Sequence, residues 1–422
     1  MKILLLTQVV PFPPHSGTQV NPYHLVQHLM TQHEVTLVTF TRNAAEEAQA
    51  EQLRSICAAV HTVRLHHSRL RDAQALAMSF LTDTPFLIER NASLAMHRLL
   101  ARLVREAAGQ EQPFDLVHVD QLHMAQFAER LSLPRLLDQH HTARTNLDCM
   151  VQQSEFPHQL FLKREQHLLQ RYADRICSTF ETVTAESQAD RQTLLQVIPQ
   201  PRDIPVIPIA VDAQAWPSVV RDSTARGILS LETMLYPAHV DALSWFAHTI
   251  YPIVRRAVSN THLYVYSQQP GDTVRALPKQ DATITVTDDA PDVSAYIADS
   301  ACLVVPLRRD SGMPRKILEA LAWGIPIVST SVGYANIDLT PGEHLLVADT
   351  PSDFADAVTL LLQEPDFGAR IAAAGRKRLL ERYDWHSVSP AIDRVYQQVT
   401  TRCQAATSQS TTSMMTQTYI NR

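Results

Sequence analysis

The chain writes one pattern twice. Short apolar runs, each long enough for a single strand, alternate with stretches of helical periodicity, and after a polar interlude the alternation begins again. Such alternation is the signature of βαβ units, and therefore of parallel sheets covered on both faces by helices. In the first half the pattern predicts strands at 2–9, 34–40, 114–119, 135–139, 175–179 and 206–208, with helices over 21–31, 94–108 and 161–172. In the second half it predicts strands at 227–231, 262–266, 283–286, 302–305 and 326–330, with helices over 240–257, 316–323, 353–362, 366–382 and 387–399. The expected architecture is α/β, with two Rossmann-like, doubly wound parallel-sheet domains covering 1–208 and 209–385. A last helix is expected over 386–400, and a Ser-, Thr-, Gln- and Met-rich tail over 401–422 is expected to be disordered. Sheets of this kind bind ligands in the crevice at the carboxyl ends of their strands.

Bulk properties narrow the function. A chain of 422 residues suits two domains, and 45% hydrophobic with 19% charged residues is enough for two cores. A net charge of -6 leaves no basic footprint for nucleic acid. The cysteines (Cys57, Cys149, Cys177, Cys302 and Cys403) are scattered without CxxC spacing, which fits reduced thiols better than disulfides or a zinc site. The apolar start ends in Pro11-Phe12-Pro13-Pro14 without a small-residue cleavage site, so it reads as a first strand, not a signal peptide. No stretch approaches the roughly 18 apolar residues of a membrane span. The expectation is a soluble, cytoplasmic protein, with peripheral contact to an inner membrane left open.

Candidate chemistry is densest between Val304 and Ala320. A strand ends, Arg308 and Arg309 follow, the chain turns through Ser311 and Gly312, and a helix begins near Arg315 and Lys316 with Glu319 one turn in. A helix N-terminus offers unpaired N–H groups and a positive dipole end to a phosphate. Arginine forks match phosphate oxygens bidentately, and lysine adds a mobile point charge. On these residues alone, a solvated basic turn beside an exposed glutamate is the alternative. Elsewhere no GxGxxG follows strand one, and neither a P-loop nor a G-x-S-x-G elbow occurs. His and Asp residues do not fall at metal-ligand intervals, and no strand-flanked DxD-type metal motif is evident.

The run Pro306-Leu307-Arg308 through Ser329-Thr330 resembles the donor-binding segment of family 4 glycosyltransferases, in the sub-group with a PLRxGxGTRLKILEA-like motif. The likeness continues through Gly333, Gly342-Glu343-His344-Leu345-Leu346, Ala348-Asp349 and Glu381-Arg382-Tyr383-Asp384-Trp385. It extends upstream to the Pro11–Thr18 loop, Tyr23-His24-Leu25, Leu136–His141, Lys163-Arg164-Glu165, Val183–Asp190, Pro208–Asp212, Tyr236–Ala242 with Trp245-Phe246, and Pro291-Asp292-Val293.

This resemblance implies the GT-B fold, with the 386–400 helix crossing back to the first domain, and a retaining, metal-independent transferase. Such an enzyme moves a sugar from a nucleotide-diphosphate sugar to a glycan, a lipid-linked glycan or a natural product. No cofactor is expected, the nucleotide sugar being a co-substrate. Arg308 and Lys316 would stabilise the departing diphosphate, Glu319 would hold the ribose and His140 would orient the sugar. Gly17, Thr18, Ser230, Arg309, Ser311, Gly312 and Arg315 would line the donor site. A lone histidine is otherwise more often structural, and a Pro-rich loop with one glycine is more often a plain turn.

Several positions depart from the family pattern. The Gly-Ser loop after the first strand of the second domain reads Ser230-Leu231-Glu232, placing an acid where a diphosphate is expected. GTRLK reads Gly312-Met313-Pro314-Arg315-Lys316, and ten glycines in the whole chain is about a third of the usual ~7%. The alternative these departures favour is a catalytically silent GT-B protein acting as a binding partner or scaffold.

Overall fold

A computed structural model describes residues 1–13, 17–139, 147, 150, 151, 156–198, 203–216, 219, 224–233, 237–268, 270–288, 294–309, 315–399 and 401. The described residues fall into two compact units, one drawn from 1–140, 163–208 and 389 onward, the other from 141–162 and 209–388.

The first unit is built on β1 (Lys2–Thr7), β2 (Glu34–Thr41), β3 (Ala59–Arg64), β4 (Leu116–Asp120), β5 (Arg135–Asp138) and β6 (Thr182–Thr184). All run parallel, in the order β3-β2-β1-β4-β5-β6. Ile3, Leu4, Leu5 and Leu6 are all fully buried, as expected of a central strand with helices on both faces. Helix starts are marked by their caps: Asn43, Ser68, Ser93 and Ser187 each accept a backbone N–H from the first turn. Residues 389–399 are helical and belong to this unit, where Asp393 meets His28 at 2.7 Å and the Tyr396 hydroxyl meets His118.

The second unit repeats the topology with β7 (Gly227–Thr233), β8 (His262–Gln268), β9 (Ile284–Thr287), β10 (Ser300–Val305), β11 (Ile327–Ser329) and β12 (Leu346–Val347). Its order is β12-β11-β10-β7-β8-β9, again all parallel. Strand alternation sorts its side chains into two cores. Leu229, Leu231, Leu303, Val305 and Ile327 face helix Arg315–Trp323. Ile228, Cys302, Val304 and Val328 face Phe246, Tyr251 and Phe354. Two doubly wound parallel sheets are thus present, as expected.

Four local expectations change. Residues 175–179 are not a strand: they close a 22-residue helix, His158–Thr179, and the strand is Thr182–Thr184. Leu168, Tyr172 and Ile176, all buried, recur at helical spacing, so the apolar run around Ile176 is the end of a helix stripe. Residues 206–208 form a single bridge, Ala185 to Val206, in place of a strand. The expected continuous helix over 240–257 is broken into Pro237–Trp245, a π-helical turn at Phe246–Ile250, and Tyr251–Ala257. Pro252 lacks an N–H and its ring crowds the preceding turn, which a wider turn relieves. Finally, the Ser230-Leu231-Glu232 segment is not a loop. It continues β7, with Glu232 paired to Ser267 and Thr233 to Gln268.

Candidate active site

In the second unit, β10 delivers the chain to the basic segment from a fully buried strand, and Leu307 is still buried beyond its end. Arg308 then leaves the core. Its Nη2 donates to Asp241 Oδ1 at 2.6 Å and its Nε to Oδ2 at 3.2 Å, and its guanidinium lies 5.2 Å from the centre of the Trp245 ring. Asp241 and Trp245 are four residues apart on helix Pro237–Trp245, so one face of that helix fixes the fork from two sides. Arg309 is half-buried beside it.

Helix Arg315–Trp323 begins where its sequence changes from charge to continuous burial: Ile317, Leu318, Ala320, Leu321 and Ala322 are fully enclosed. Each large side chain among them stabilises the unit by about 1.5–3 kcal/mol relative to exposure. That packing holds the first turn in place. Gly324 ends the helix at φ 73°, the left-handed position that glycine adopts without Cβ strain.

Three charged side chains project from the first two turns. Arg315 Nε donates to Glu319 Oε1 at 2.9 Å across one helical turn. Its Nη1 is buried and finds no acceptor among the described residues. Lys316 is only 9% exposed, and its Nζ stands 3.5 Å from Nδ1 of His239, which is itself buried. Burial pushes the Glu319 carboxyl above its ordinary range, while Arg315 and then Lys316 pull it back down. A buried guanidinium nitrogen without a partner keeps a donor available for an acceptor oxygen, and two cations flanking a desolvated carboxylate leave net positive charge for an anion.

The strand-end turn behind this helix is packed closely. Thr330 Oγ1 donates to the Leu307 carbonyl, and Gly333 N donates to Thr330 Oγ1 at 3.0 Å. A Cβ on Gly333 would lie 2.7 Å from the Val305 carbonyl oxygen, so only glycine fits there. Below it the Tyr383-Asp384-Trp385 segment fastens the start of the unit: Asp384 Oδ1 accepts from Ala213 N at 3.0 Å, and Val211 N donates to the Tyr383 carbonyl at 2.9 Å.

The structure therefore brings together Arg315, Lys316 and Glu319, with Arg308 tied separately to Asp241. Ser230 is fully buried within β7. Gly17 and Thr18 open helix Gly17–Leu29 of the first unit. His140, Ser311 and Gly312 lie outside the described residues. The strand leading to His140 is well anchored, with Thr184 Oγ1 donating to Asp138 Oδ1 at 2.6 Å and the Cys177 thiol to Gln139 Oε1 at 3.0 Å. Two neighbours were absent from the expected site, Asp241 and His239. Both lie in the Tyr236–Ala242 segment, whose likeness to the family was a signal without an assigned role.

Comparison with known proteins places this arrangement. Residues 15–215 match the model of Glycosyltransferase Family 4, and residues 225–364 match that of Glycosyl transferases group 1. Over 320 residues the chain is 22% identical to the MMP alpha-(1->4)-mannosyltransferase of Mycolicibacterium hassiacum, covering 72% of this chain and 75% of that one. Among solved structures it resembles the sucrose-phosphate synthase of Thermosynechococcus elongatus, with a TM-score of 0.66 at 14% identity over 94% of this chain and 99% of the other. It also resembles Anabaena HepE in complex with UDP and glucose, with a TM-score of 0.61 at 15% identity over 94% and 100%. The fold is GT-B, and its class is that of the sugar-transferring enzymes. The chain thus carries a Glycosyltransferase Family 4 domain followed by a Glycosyl transferases group 1 domain, and it is a glycosyltransferase.

Proposed function

We propose that the protein transfers a sugar from a nucleotide-diphosphate sugar to a carbohydrate, lipid-linked or small-molecule acceptor, with retention at the anomeric carbon and without a catalytic metal. One observation carries this reading: Arg315, Lys316 and Glu319 converge on the N-terminus of one buried helix, with a buried Arg315 nitrogen unmet among the described residues. As the glycosidic bond to the diphosphate breaks, negative charge gathers on the departing phosphate. Preorganised cations and helix N–H groups stabilise that charge more in the transition state than in the bound donor. In this reading Lys316 and Arg315 supply the cations, and Arg308 approaches the same phosphates from its seat over Trp245. Glu319 accepts from the ribose hydroxyls, steered by Arg315. The resemblance assigns His140 to orienting the sugar, and Gly17 and Thr18 to the donor. HepE, of the same fold, is described with UDP and glucose, which supports a nucleotide-sugar donor.

The test is a thermal-shift panel of UDP, GDP, ADP, TDP and CDP with their common sugars, because a ligand that binds only the native state raises its melting temperature by mass action. One nucleotide is expected to stabilise the wild type and to lose that effect in Glu319→Ala. Transfer that persists in excess EDTA, giving a product whose anomeric proton coupling matches the donor's, supports the metal-free retaining course. Transfer abolished by EDTA and restored by Mg²⁺ would overturn it.

A further inference from the structure

Helix Arg69–Thr82 of the first unit is built inside out. Its buried positions are Ala75 and Ser79, which carry little apolar area, whereas Leu70 is 70% exposed, Phe80 57% and Leu81 80%. Leu70, Ala73, Ala77 and Leu81 follow one another at helical spacings of three and four, and Leu76, Phe80 and Met78 widen the same outer stripe. A surface helix normally turns its apolar stripe to the core. Single exposed apolar residues need no explanation, but a contiguous face marks a place where something docks.

The helix is held by polar contacts. Arg164 Nη1 donates to Ser79 Oγ at 3.0 Å and Nη2 to the Ser79 carbonyl at 2.7 Å, while Ser79 Oγ donates to Glu165 Oε1 at 3.4 Å. Glu165 Oε2 in turn accepts from Phe86 N at 2.7 Å. On the outer side the Phe80 ring lies 4.1 Å from the Arg164 guanidinium, while Leu70 and Leu81 keep most of their surface in solvent.

Charge identifies the occupant. Between Arg64 and Leu81 stand three permanent cations, Arg64, Arg69 and Arg71, against one acid, Asp72, which is itself bonded to Arg90 at 2.8 Å. Arg64 and Arg69 are exposed and enter no ion pair among the described residues. A basic run at one end of an apolar face, on a chain whose net charge is -6, fits an anionic lipid surface. A second copy of the chain would bring two identical basic runs together in an isologous contact, which like-charge repulsion opposes.

We propose that residues 64–81 dock the protein on an anionic bilayer, with helix Arg69–Thr82 lying in the interface and Leu70 and Leu81 entering the acyl boundary. This surface is separate from the donor site and does not depend on which nucleotide sugar is used. The experiment is co-sedimentation of the full chain, without donor, with phosphatidylcholine vesicles containing or lacking phosphatidylglycerol. Wild type is expected to bind the phosphatidylglycerol vesicles, and Leu70→Gln/Leu81→Gln to bind them about tenfold or more weakly at an unchanged melting temperature. Arg64→Gln/Arg69→Gln is expected to lose the preference for phosphatidylglycerol and the sensitivity to salt. No binding to anionic vesicles, or undiminished binding by Leu70→Gln/Leu81→Gln, overturns the proposal. So does a wild-type dimer that those two substitutions dissolve, which would assign the face to self-association.

Discussion

Helices Arg315–Trp323 and Arg69–Thr82 break the burial rule in opposite directions. The first takes charge inward: Lys316 is 9% exposed, and the Glu319 carboxyl is desolvated enough to titrate above its usual range. The second leaves apolar area outward, with Leu81 80% exposed while Ser79 is fully enclosed. Each departure costs its unit stability, since buried charge loses hydration and exposed leucine leaves its transfer energy unused. Each is also held by compensating contacts of the other chemical kind. Ile317, Leu318 and Leu321 fix the charged helix, whereas the Arg164–Ser79–Glu165 network fixes the apolar one. The difference teaches that the direction of a departure indicates the chemistry of what fills it: charge brought inside awaits an ion, and hydrocarbon put outside awaits hydrocarbon.

The sharpest way to break that comparison is to remove the inward charge. Lys316→Ala is expected to lower kcat by about 10²–10³-fold, the range found when one preorganised transition-state donor is deleted. Lys316→Met serves as the volume-matched control, and circular dichroism should show both folded. Wild-type turnover in both variants would remove Lys316 from the mechanism and make its burial a purely structural matter. The next largest effect belongs to the other helix. Glu165→Ala strands Arg164, Ser79 and the Phe86 N–H together, and is expected to cost roughly 3 kcal/mol in denaturant unfolding, as breaking a buried charged pair does. A loss below half of that would mean the apolar face contributes more to holding the helix than its exposure indicates.

How much of this was legible in the sequence follows from the same contrast. Buried parallel strands such as Ile3–Leu6 and Ala301–Val305 show as unbroken apolar runs, so both sheets could be read from pattern alone. Residues 175–179 could not, because a short apolar run is shared by a buried strand and by the last turn of a helix. β3, Ala59–Arg64, was missed because its outward positions are polar and it lies at the sheet edge. Arg315, Lys316 and Glu319 were legible because their spacing fixes them on one helix start. The Arg308–Asp241 pair was not, since 67 residues separate its members and only the fold brings them together. Helix Arg69–Thr82 hides for a different reason: its sequence is amphipathic either way round, and only burial shows which side faces out.

The pH dependence of donor binding sharpens the charged half of the comparison. Burial raises the folded-state pKa of Glu319 above its unfolded value, so its contribution to stability favours the protonated form and is lost as pH rises through the folded value. Ribose recognition has the opposite sign, because the ionised carboxylate is the better acceptor of two hydroxyls. Donor affinity measured by calorimetry is therefore expected to fall severalfold on acidification, with a midpoint above the ordinary glutamate range. Glu319→Gln should flatten that profile, and an unchanged profile in the variant would separate Glu319 from the ribose.

The smallest expected effect decides whether Arg308 belongs with the buried charges or with the surface. Its ion pair with Asp241 is part-exposed, at 44% and 32% of the two side chains, so the pair itself stabilises the unit by less than about 1 kcal/mol. Asp241→Asn keeps the shape and removes the charge that fixes the fork beside Trp245. If Arg308 works on the donor's phosphates, the substitution loosens a preorganised group: KM for the donor should rise about threefold, while kcat and the melting temperature hardly move. Should KM and kcat both stay where they are, Arg308 is an ordinary surface arginine, and the charge that meets the diphosphate comes from Arg315 and Lys316 alone. Should kcat fall with KM unchanged, Arg308 acts only once the bond is breaking, and it joins the inward-turned charges despite its exposure.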